Sequence, residues 1–301
     1  MTKKHFCYLI LAIVLTSCST NPYKTTEKAY DQQLKTLENQ ITSKDSQVIP
    51  PVSPVIIDTT YASQLGIIKD TLSKTGSTSL QNGISTEWIG TVNFNLRKPS
   101  FVIIHHTAQD SIQQTINTFT KTRTQVSSHY IISENGKVVQ MLNDYLRAWH
   151  AGNSTWGKNT DLNSSSIGIE LDNNGFKPFT EAQISSLVAL LTKLKKDYNI
   201  PTQNFLGHAD IAPGRKQDPS ALFPWKTLAE KGFGIWPDAV LEEAPFDFKI
   251  EPALRIIGYN TKNLSAAIQA FKLHYIQTDT TSTLDRKTID TIYSIYKKQI
   301  Q

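Results

Sequence analysis

The sequence predicts an α/β domain, with a mixed central β-sheet flanked by helices, followed by a small C-terminal domain of three helices. Two observations indicate the first domain: short apolar runs typical of buried strands alternate with segments whose apolar residues recur at helical spacing. A third indicates the second domain, because helical spacing alone continues after Pro237 and the acidic stretch 242–245. The expected division is a leader over 1–17, a tether over 18–85, the α/β domain over 86–236 and the helical domain over 246–300.

Five apolar runs predict the strands of the α/β domain. They lie near residues 101–105, 129–134, 137–141, 166–171 and 203–207. Asn135-Gly136 separates the second run from the third and is a strong hairpin signal. One helix is expected over 111–122, and a second begins at the capping box Thr180-Glu-Ala-Gln183.

The first 18 residues resemble a bacterial lipoprotein leader. A basic N-terminus precedes the apolar run 6–15, which is too short to cross a membrane as a stable helix. Leu15-Thr-Ser-Cys18 resembles a lipobox, so we expect cleavage before Cys18 and lipidation of that cysteine. An aspartate directly after the lipidated cysteine would resemble an inner-membrane retention signal, but residue 19 is serine. The expected location is therefore the outer membrane, facing the periplasm. A leader that is simply cleaved and lost is the alternative.

The tether is rich in Ser, Thr, Lys, Gln and Asp, which is typical of a flexible segment. One part of it has helical spacing. Tyr30, Leu34, Leu37 and Ile41 would share one side of a short amphipathic helix.

Composition excludes several classes of function. Cys7 lies in the leader, so the mature chain would hold no cysteine besides Cys18, which excludes a cysteine nucleophile, a disulfide and a cysteine-rich metal site. Loss of Lys3 and Lys4 with the leader leaves 29 of 31 basic residues against 26 acidic ones, so the net charge falls from +5 to +3. That charge is too small to indicate binding to nucleic acid. The sequence also lacks a Gly-rich phosphate loop, so nucleotide binding is not predicted.

The segment Phe101-Val-Ile-Ile-His-His-Thr-Ala108 indicates a buried strand that ends at a polar site. Side chains alternate along a strand, so His105 and His106 point to opposite faces. At most one of them easily reaches a given metal, and the other packs, caps a loop or touches substrate. A pair of ordinary strand-end histidines is the alternative.

A second segment, Gly207 to Pro219, carries His208 and Asp218 on a loop that contains Pro213 and Gly214. These turn residues favour a chain that folds back and brings His208 and Asp218 to a common point. Imidazole and carboxylate are ordinary zinc ligands, and three protein ligands leave the fourth tetrahedral position of a catalytic zinc to water.

The third segment is Ser166-Ile-Gly-Ile-Glu-Leu-Asp172, whose alternation turns Glu170 away from the apolar side of the strand. A carboxylate beside a metal site can take a proton from water and later return it to a leaving amine. A solvated strand glutamate is the alternative.

Together these motifs resemble the zinc-dependent N-acetylmuramoyl-L-alanine amidases over about residues 85 to 236. The resemblance implies one zinc per chain, with His105, rather than His106, as a ligand beside His208 and Asp218. It also implies that Lys216 stabilises the oxyanion. Asp218 stands where the phage and recognition-protein members of the family usually have cysteine. The branch of outer-membrane lipoproteins resembles this chain in having aspartate there.

Further matches to that family are shorter. Ala148-Trp149-His150-Ala-Gly152 resembles its substrate groove, which implies that Trp149 and His150 contact substrate, although a structural role for His150 is the alternative. His129 is expected to be structural. Arg215, beside Lys216, is a candidate contact for a peptide carboxylate, with a solvated arginine as the alternative.

The C-terminal residues resemble the three-helix peptidoglycan-binding domain that follows the amidase domain in related lipoproteins. Leu264, Ile268 and Phe271 fit one helical face, and residues 289–296 fit another. Ser282-Thr283 replaces the usual glycine of that domain, and a purely stabilising helical segment is the alternative.

The resemblance implies hydrolysis of the amide between N-acetylmuramic acid, or its anhydro form, and the L-Ala of the stem peptide. Peptidoglycan or muropeptides are the expected partners, and a monomer is expected. A non-catalytic peptidoglycan-binding lipoprotein is one alternative, although it would not need an open metal position next to a base. A zinc peptidase is another, but the sequence lacks a His-Glu-x-x-His motif.

Overall fold

The computed structural model describes residues 28–29, 31–33, 35–39 and 98–301. The described residues between 28 and 39 are helical, at the place of the expected amphipathic helix, but Tyr30, Leu34 and Ile41 lie outside the described residues. The leader, Cys18 and the rest of the tether also lie outside them. Among the residues described, no helix has the length and apolarity needed to cross a membrane.

A mixed sheet of five strands forms the centre of residues 98–301, in the order β3-β2-β4-β1-β5. The strands are β1 (Phe101–His106), β2 (Tyr130–Ile132), β3 (Val138–Gln140), β4 (Ser166–Leu171) and β5 (Phe205–Gly207). Neighbours pair in parallel except for β2 and β3, which form an antiparallel hairpin. The predicted fold class, a mixed sheet flanked by helices, is confirmed.

The β2–β3 hairpin turns at the predicted Asn135-Gly136. Gly136 has φ +83°, a left-handed conformation that side chains rarely adopt. A Cβ atom at this position would also lie 2.8 Å from the carbonyl oxygen of Ala182. Glycine is therefore required both by the turn and by its packing against the following helix.

Seven helices accompany the sheet in residues 98–301. They are α1 (Ile112–Phe119), α2 (Glu181–Tyr198), α3 (His208–Ile211), α4 (Trp225–Glu230), α5 (Ile250–Ile257), α6 (Leu264–Tyr275) and α7 (Arg286–Ile300). The helix predicted over 111–122 ends earlier, at Phe119, because Thr120 caps it and its hydroxyl bonds the Ile116 carbonyl. Only half of the predicted capping box forms at α2. Thr180 accepts a bond from the Gln183 amide, whereas the Gln183 side chain donates to the carbonyls of Ile132 and Asp172 and ties the helix to the sheet.

The two faces of the sheet bury different clusters. On one, here named the α2 face, Val102, Ile104 and the β4 residues Ile167, Ile169 and Leu171 pack with α2. The other face carries His105 and is here named the site face. On it, Ile103 packs in a core that includes residues of α5, α6 and α7. The C-terminal helices thus share a core with the sheet, and residues 98–301 fall within one compact unit.

Candidate active site

Three parallel strands deliver the central residues of the site to one edge of the sheet. β1 lies between β4 and β5, and His105 is in register with Glu170 on the adjacent strand. β5 ends at Gly207, so His208 follows at the start of α3. Because the strands are parallel, their carboxyl ends meet at the same edge, and residues far apart in sequence become neighbours.

The loop after α3 returns Asp218 to the same point. Gly214 has φ +77°, and the amides of Arg215 and Lys216 both bond the Ala212 carbonyl. The loop closes where the Ala209 amide donates to the Asp218 carbonyl at 2.8 Å. Pro213-Gly214 therefore marks the fold-back that the sequence predicts.

His105, His208 and Asp218 converge on a small triangle of ligand atoms. The two Nδ1 atoms lie 2.9 Å apart, and each lies 3.1 Å from Oδ2 of Asp218. Both histidines are buried, and the Asp218 side chain is 12% exposed. Among the described residues, these three form the group that could hold a metal ion.

The hydrogen bonds behind the triangle decide which ring nitrogens carry protons. His208 Nε2 faces the Ala151 carbonyl at 3.1 Å, and a carbonyl can only accept, so this nitrogen carries the proton. The Ser166 hydroxyl donates to the Leu162 carbonyl, so it accepts a bond from His150 Nε2, 3.2 Å away. Nδ1 of His150 is then an acceptor, and His105 Nε2 donates to it at 3.0 Å. Both Nδ1 lone pairs of the triangle are consequently free to bind a metal, as in other sites where a second bond orients a histidine ligand.

The pKa values of these side chains also suit metal binding. Burial, with the neighbouring His208, lowers the pKa of His105 to about 4, so this imidazole is neutral at pH 7. Burial acts to raise the pKa of Asp218, but the contacts of its carboxylate with the His105 and His208 rings hold that pKa below its ordinary value. Neutral imidazole and ionised carboxylate are the forms that bind zinc, so the residues fit a zinc ion.

Glu170 is the unusual group of the site. Burial, and then the nearby Asp218 carboxylate, raise its pKa to about 8, while Lys216 acts in the opposite direction. Its Oε2 atom is buried and has no hydrogen-bond partner among the described residues. A buried carboxylate oxygen without a partner is costly, and such groups concentrate at functional sites.

These residues open into a cleft of about 500 Å³. Trp149 is 46% exposed on its wall, and Phe176, at 91%, extends almost fully into solvent at its rim. Lys216 lines the cleft near Glu170 and Asp218. The cleft therefore combines apolar walls with a cation and the metal-binding triangle.

His150 borders the cleft, where the sequence left open either a substrate contact or a structural role. Its ring is only 8% exposed, and both nitrogens bond inside the protein, to His105 and Ser166. Arg215 points away from the cleft. Its guanidinium donates to the carbonyls of Ala151 and Asn153, and it lines a separate hollow beside the start of α6 rather than the cleft.

Other residues act here without having been singled out in the sequence. Asn163 accepts bonds from the amides of His150 and Ala151 at 3.0 and 2.8 Å and fixes that segment. Gly168 lets the His150 ring lie against β4, because a Cβ atom on residue 168 would sit 2.5 Å from Cγ of His150. A glycine inside a strand signals such a close approach, whereas Asn163 carries no local signal.

His106 and His129 are held by backbone groups. His106 points to the opposite face from His105, accepts a bond from the Ser220 amide at 3.2 Å and borders the cleft. His129 accepts from the Gly168 amide and faces the Leu146 carbonyl, both at 3.0 Å. Both histidines thus connect strands and loops around the triangle.

Comparisons with known proteins agree with this arrangement. Residues 95–221 match the family model described as N-acetylmuramoyl-L-alanine amidase. The chain is 44% identical over 154 residues to the N-acetylmuramoyl-L-alanine amidase AmiD of Escherichia coli K12, an alignment that covers 46% of this chain and 55% of AmiD. The chain thus spans about half the length of the curated relatives it matches.

Two solved structures match over almost their whole length. One is the complex of AmiD from E. coli with the substrate anhydro-N-acetylmuramic acid-L-Ala-D-γ-Glu-L-Lys, with a TM-score of 0.61, 31% identity, and coverage of 74% of this chain and 98% of that one. The other is AmpDh3 from Pseudomonas aeruginosa in complex with anhydromuramic pentapeptide, with a TM-score of 0.61, 27% identity, and coverage of 73% and 98%.

Proposed function

We propose that this chain, which belongs to the N-acetylmuramoyl-L-alanine amidase family, hydrolyses the amide between N-acetylmuramic acid and the L-Ala of the peptidoglycan stem peptide. The observation that carries the proposal is the unpartnered Oε2 of Glu170 beside the triangle of His105, His208 and Asp218. A protein that only binds peptidoglycan has no need for a buried base next to three converging metal ligands.

His105, His208 and Asp218 would hold one zinc ion through Nδ1, Nδ1 and Oδ2. Zinc, when bound, supplies Lewis acidity, which polarises a carbonyl and lowers the pKa of water. The chain's own contribution is to present two imidazole nitrogens and a carboxylate oxygen, with the rings fixed by Ala151 and His150.

Glu170 moves the proton. Its pKa of about 8 belongs to the metal-free site, and positive charge held at the neighbouring triangle lowers that value, so the carboxylate is available as a base. The water oxygen attacks the amide carbon while Glu170 accepts its proton. When the C–N bond breaks, Glu170 returns that proton to the nitrogen of L-Ala, which leaves as an amine.

Lys216 and the cleft walls serve the same reaction. The Lys216 ammonium stabilises the negative charge that develops on the carbonyl oxygen, which is most effective in a site that excludes bulk water. Trp149 offers an apolar surface for the substrate.

Muropeptides that carry anhydro-muramic acid are the proposed substrates. The support is that AmiD and AmpDh3, which share this fold, were solved with an anhydro-muramyl peptide bound. The ligands of those two complexes carry stem peptides of three and five residues, so a series of muropeptides that spans these lengths would test which of them this chain takes.

Product analysis by mass spectrometry tests the proposal. Zinc-loaded full-length protein is incubated with a defined anhydro-muramyl peptide, alongside Glu170→Gln and the control Glu181→Gln, which alters an exposed glutamate on α2. Free peptide beginning at L-Ala is expected from wild type and control, with kcat lower by about 10³-fold in Glu170→Gln. Cleavage within the peptide would contradict the amidase assignment, and intact substrate in every sample would favour the binding protein.

The proposed location is the outer membrane, with a lipid on Cys18 and the active domain in the periplasm. The support is the leader-like sequence before Cys18, which lies outside the described residues. Membrane fractionation of the wild type and of Cys18→Ser tests it: the wild type should separate with outer membranes and the variant should not. Equal distribution of both would argue for a leader that is cleaved and lost.

A further inference from the structure

A buried carboxylate stands directly behind the metal triangle. Asp210 lies two residues after His208 on the single turn of α3, and it is 1% exposed. Its Oδ2 accepts a bond from the Gly207 amide at 2.7 Å, just where β5 gives way to α3. Asp210 therefore fixes the backbone on both sides of His208.

The remaining partners of Asp210 come from the C-terminal helices. The Tyr259 hydroxyl, just after α5, donates to Oδ1 at 2.7 Å. His274, on α6, faces Oδ2 through Nδ1 at 2.7 Å, and because a carboxylate accepts, this nitrogen donates. The His274 ring is itself stacked on Trp225, with ring centres 3.9 Å apart, and on Tyr275, at 4.1 Å.

The bonds form a buried cluster that joins two parts of the chain. Tyr259 and His274 are 2% and 3% exposed, so water does not replace either donor easily. A buried carboxylate that loses its donors must be solvated, protonated or moved. Any such movement displaces the turn that carries His208, since Asp210 and His208 lie on the same four-residue helix.

We infer that Tyr259 and His274 are positioning residues for the metal site, acting through Asp210 on the His208 ligand. The C-terminal helices are then part of the catalytic apparatus, in addition to any contact that they make with peptidoglycan. The inference rests on the proposed function in one respect, that His208 binds the metal.

Zinc affinity tests the inference without relying on turnover. Competition with a chromophoric chelator gives the dissociation constant of zinc for the full-length wild type, Tyr259→Phe, His274→Asn and the double variant. Removal of a group that bonds a metal ligand directly typically weakens binding by about 10- to 100-fold. Tyr259 and His274 act one step further out, through Asp210, so we expect the double variant to weaken binding by about 10-fold. The same variants should lower kcat while KM stays near the wild-type value, because the cleft walls are unchanged.

A matched control separates positioning from general loss of stability. The buried ammonium of Lys272, also on α6, pairs with Asp279, so Asp279→Asn weakens the same helix without touching Asp210. Asp279→Asn should lower the melting temperature but leave zinc affinity and the visible absorption of the cobalt-substituted protein unchanged. Tyr259→Phe and the double variant should alter that absorption.

Each outcome has one meaning. If wild type binds zinc and the variants bind it equally well, while only the melting temperature falls, the cluster is merely structural and the inference is wrong. If the wild type binds no zinc, the metal site of the proposed function fails first. Weaker binding in the double variant, with the control unchanged, supports the inference.

Discussion

The two faces of the central sheet are made by the same strands but from different kinds of residue. On the α2 face, Val102, Ile104, Ile167 and Ile169 are fully buried among apolar side chains. On the site face, Ile103 packs against the C-terminal helices, but the same strands also present the polar residues His105, Ser166 and Glu170. His105 and Ser166 each bond to His150, whereas Oε2 of Glu170 has no partner among the described residues. Because strand side chains alternate, one face can stabilise the fold while the other holds groups that are costly to bury.

We expect, first, that removal of the metal abolishes amide hydrolysis and leaves the fold intact. A chelator that extracts zinc should lower the rate of amide hydrolysis by more than about 10³-fold, since water loses its activation and the carbonyl its polarisation. Far-ultraviolet circular dichroism should stay nearly unchanged, because the apolar α2 face remains. Added zinc should restore the rate. Unfolding on chelation would show that the metal, rather than the α2 face, holds the domain together.

The opposite change should damage stability and spare the chemistry. Leu191 is fully buried on α2, and Leu191→Ala should lower the free energy of unfolding by about 3 kcal/mol, through lost burial and the cavity that remains. Chemical denaturation measures this loss. The kcat of the folded fraction should match the wild type, and a fall in kcat beyond twofold would mean that the two faces are more tightly coupled than their residues indicate.

A change on the site face, one bond away from the triangle, should have a smaller effect on chemistry. His150→Ala removes the acceptor that orients His105, so zinc affinity should fall by about 10-fold or somewhat more. Chelator competition gives the number. Thr192→Ala, on an exposed part of α2, is the control and should bind zinc like the wild type. If His150→Ala also binds normally, His105 is held by packing alone.

The smallest effect is a pH dependence of stability in the metal-free protein. The pKa of Glu170 is raised from its ordinary 4.5 to about 8, so between these values the folded chain keeps a proton that the unfolded chain has lost. This contribution to stability is present below about pH 4.5 and is lost as the pH rises to about 8. Glu170→Gln should therefore gain stability over the wild type as the pH rises from 5 to 8, with little difference between the two proteins at pH 5.

Denaturation of both metal-free proteins across this range measures the difference. A constant offset from pH 5 to pH 8 would mean that Glu170 is already ionised when the metal is absent. Asp144 shows the contrast within the same molecule. Its carboxylate is also buried, but it accepts bonds from the hydroxyls of Tyr130 and Tyr198 at 2.7 and 2.6 Å, so it has the partners that Glu170 lacks.

Features that depend on local spacing can be predicted from the order of the residues. Alternation along β1 separates His105 from His106, alternation along β4 turns Glu170 away from the apolar side, and Pro213-Gly214 marks the loop that returns Asp218. These follow because side-chain direction and turn geometry are set by a few neighbouring residues. The fold class follows from the same periodicities.

The partner that each polar group meets depends instead on how distant parts of the chain pack together. Nothing near His150 in sequence shows that both of its nitrogens bond inside the protein, or that Arg215 turns away from the cleft. The bonds of Asp210 to Tyr259 and His274 span 49 and 64 residues. Such contacts arise from the packing of distant elements, and local propensity and hydrophobic pattern carry no information about them.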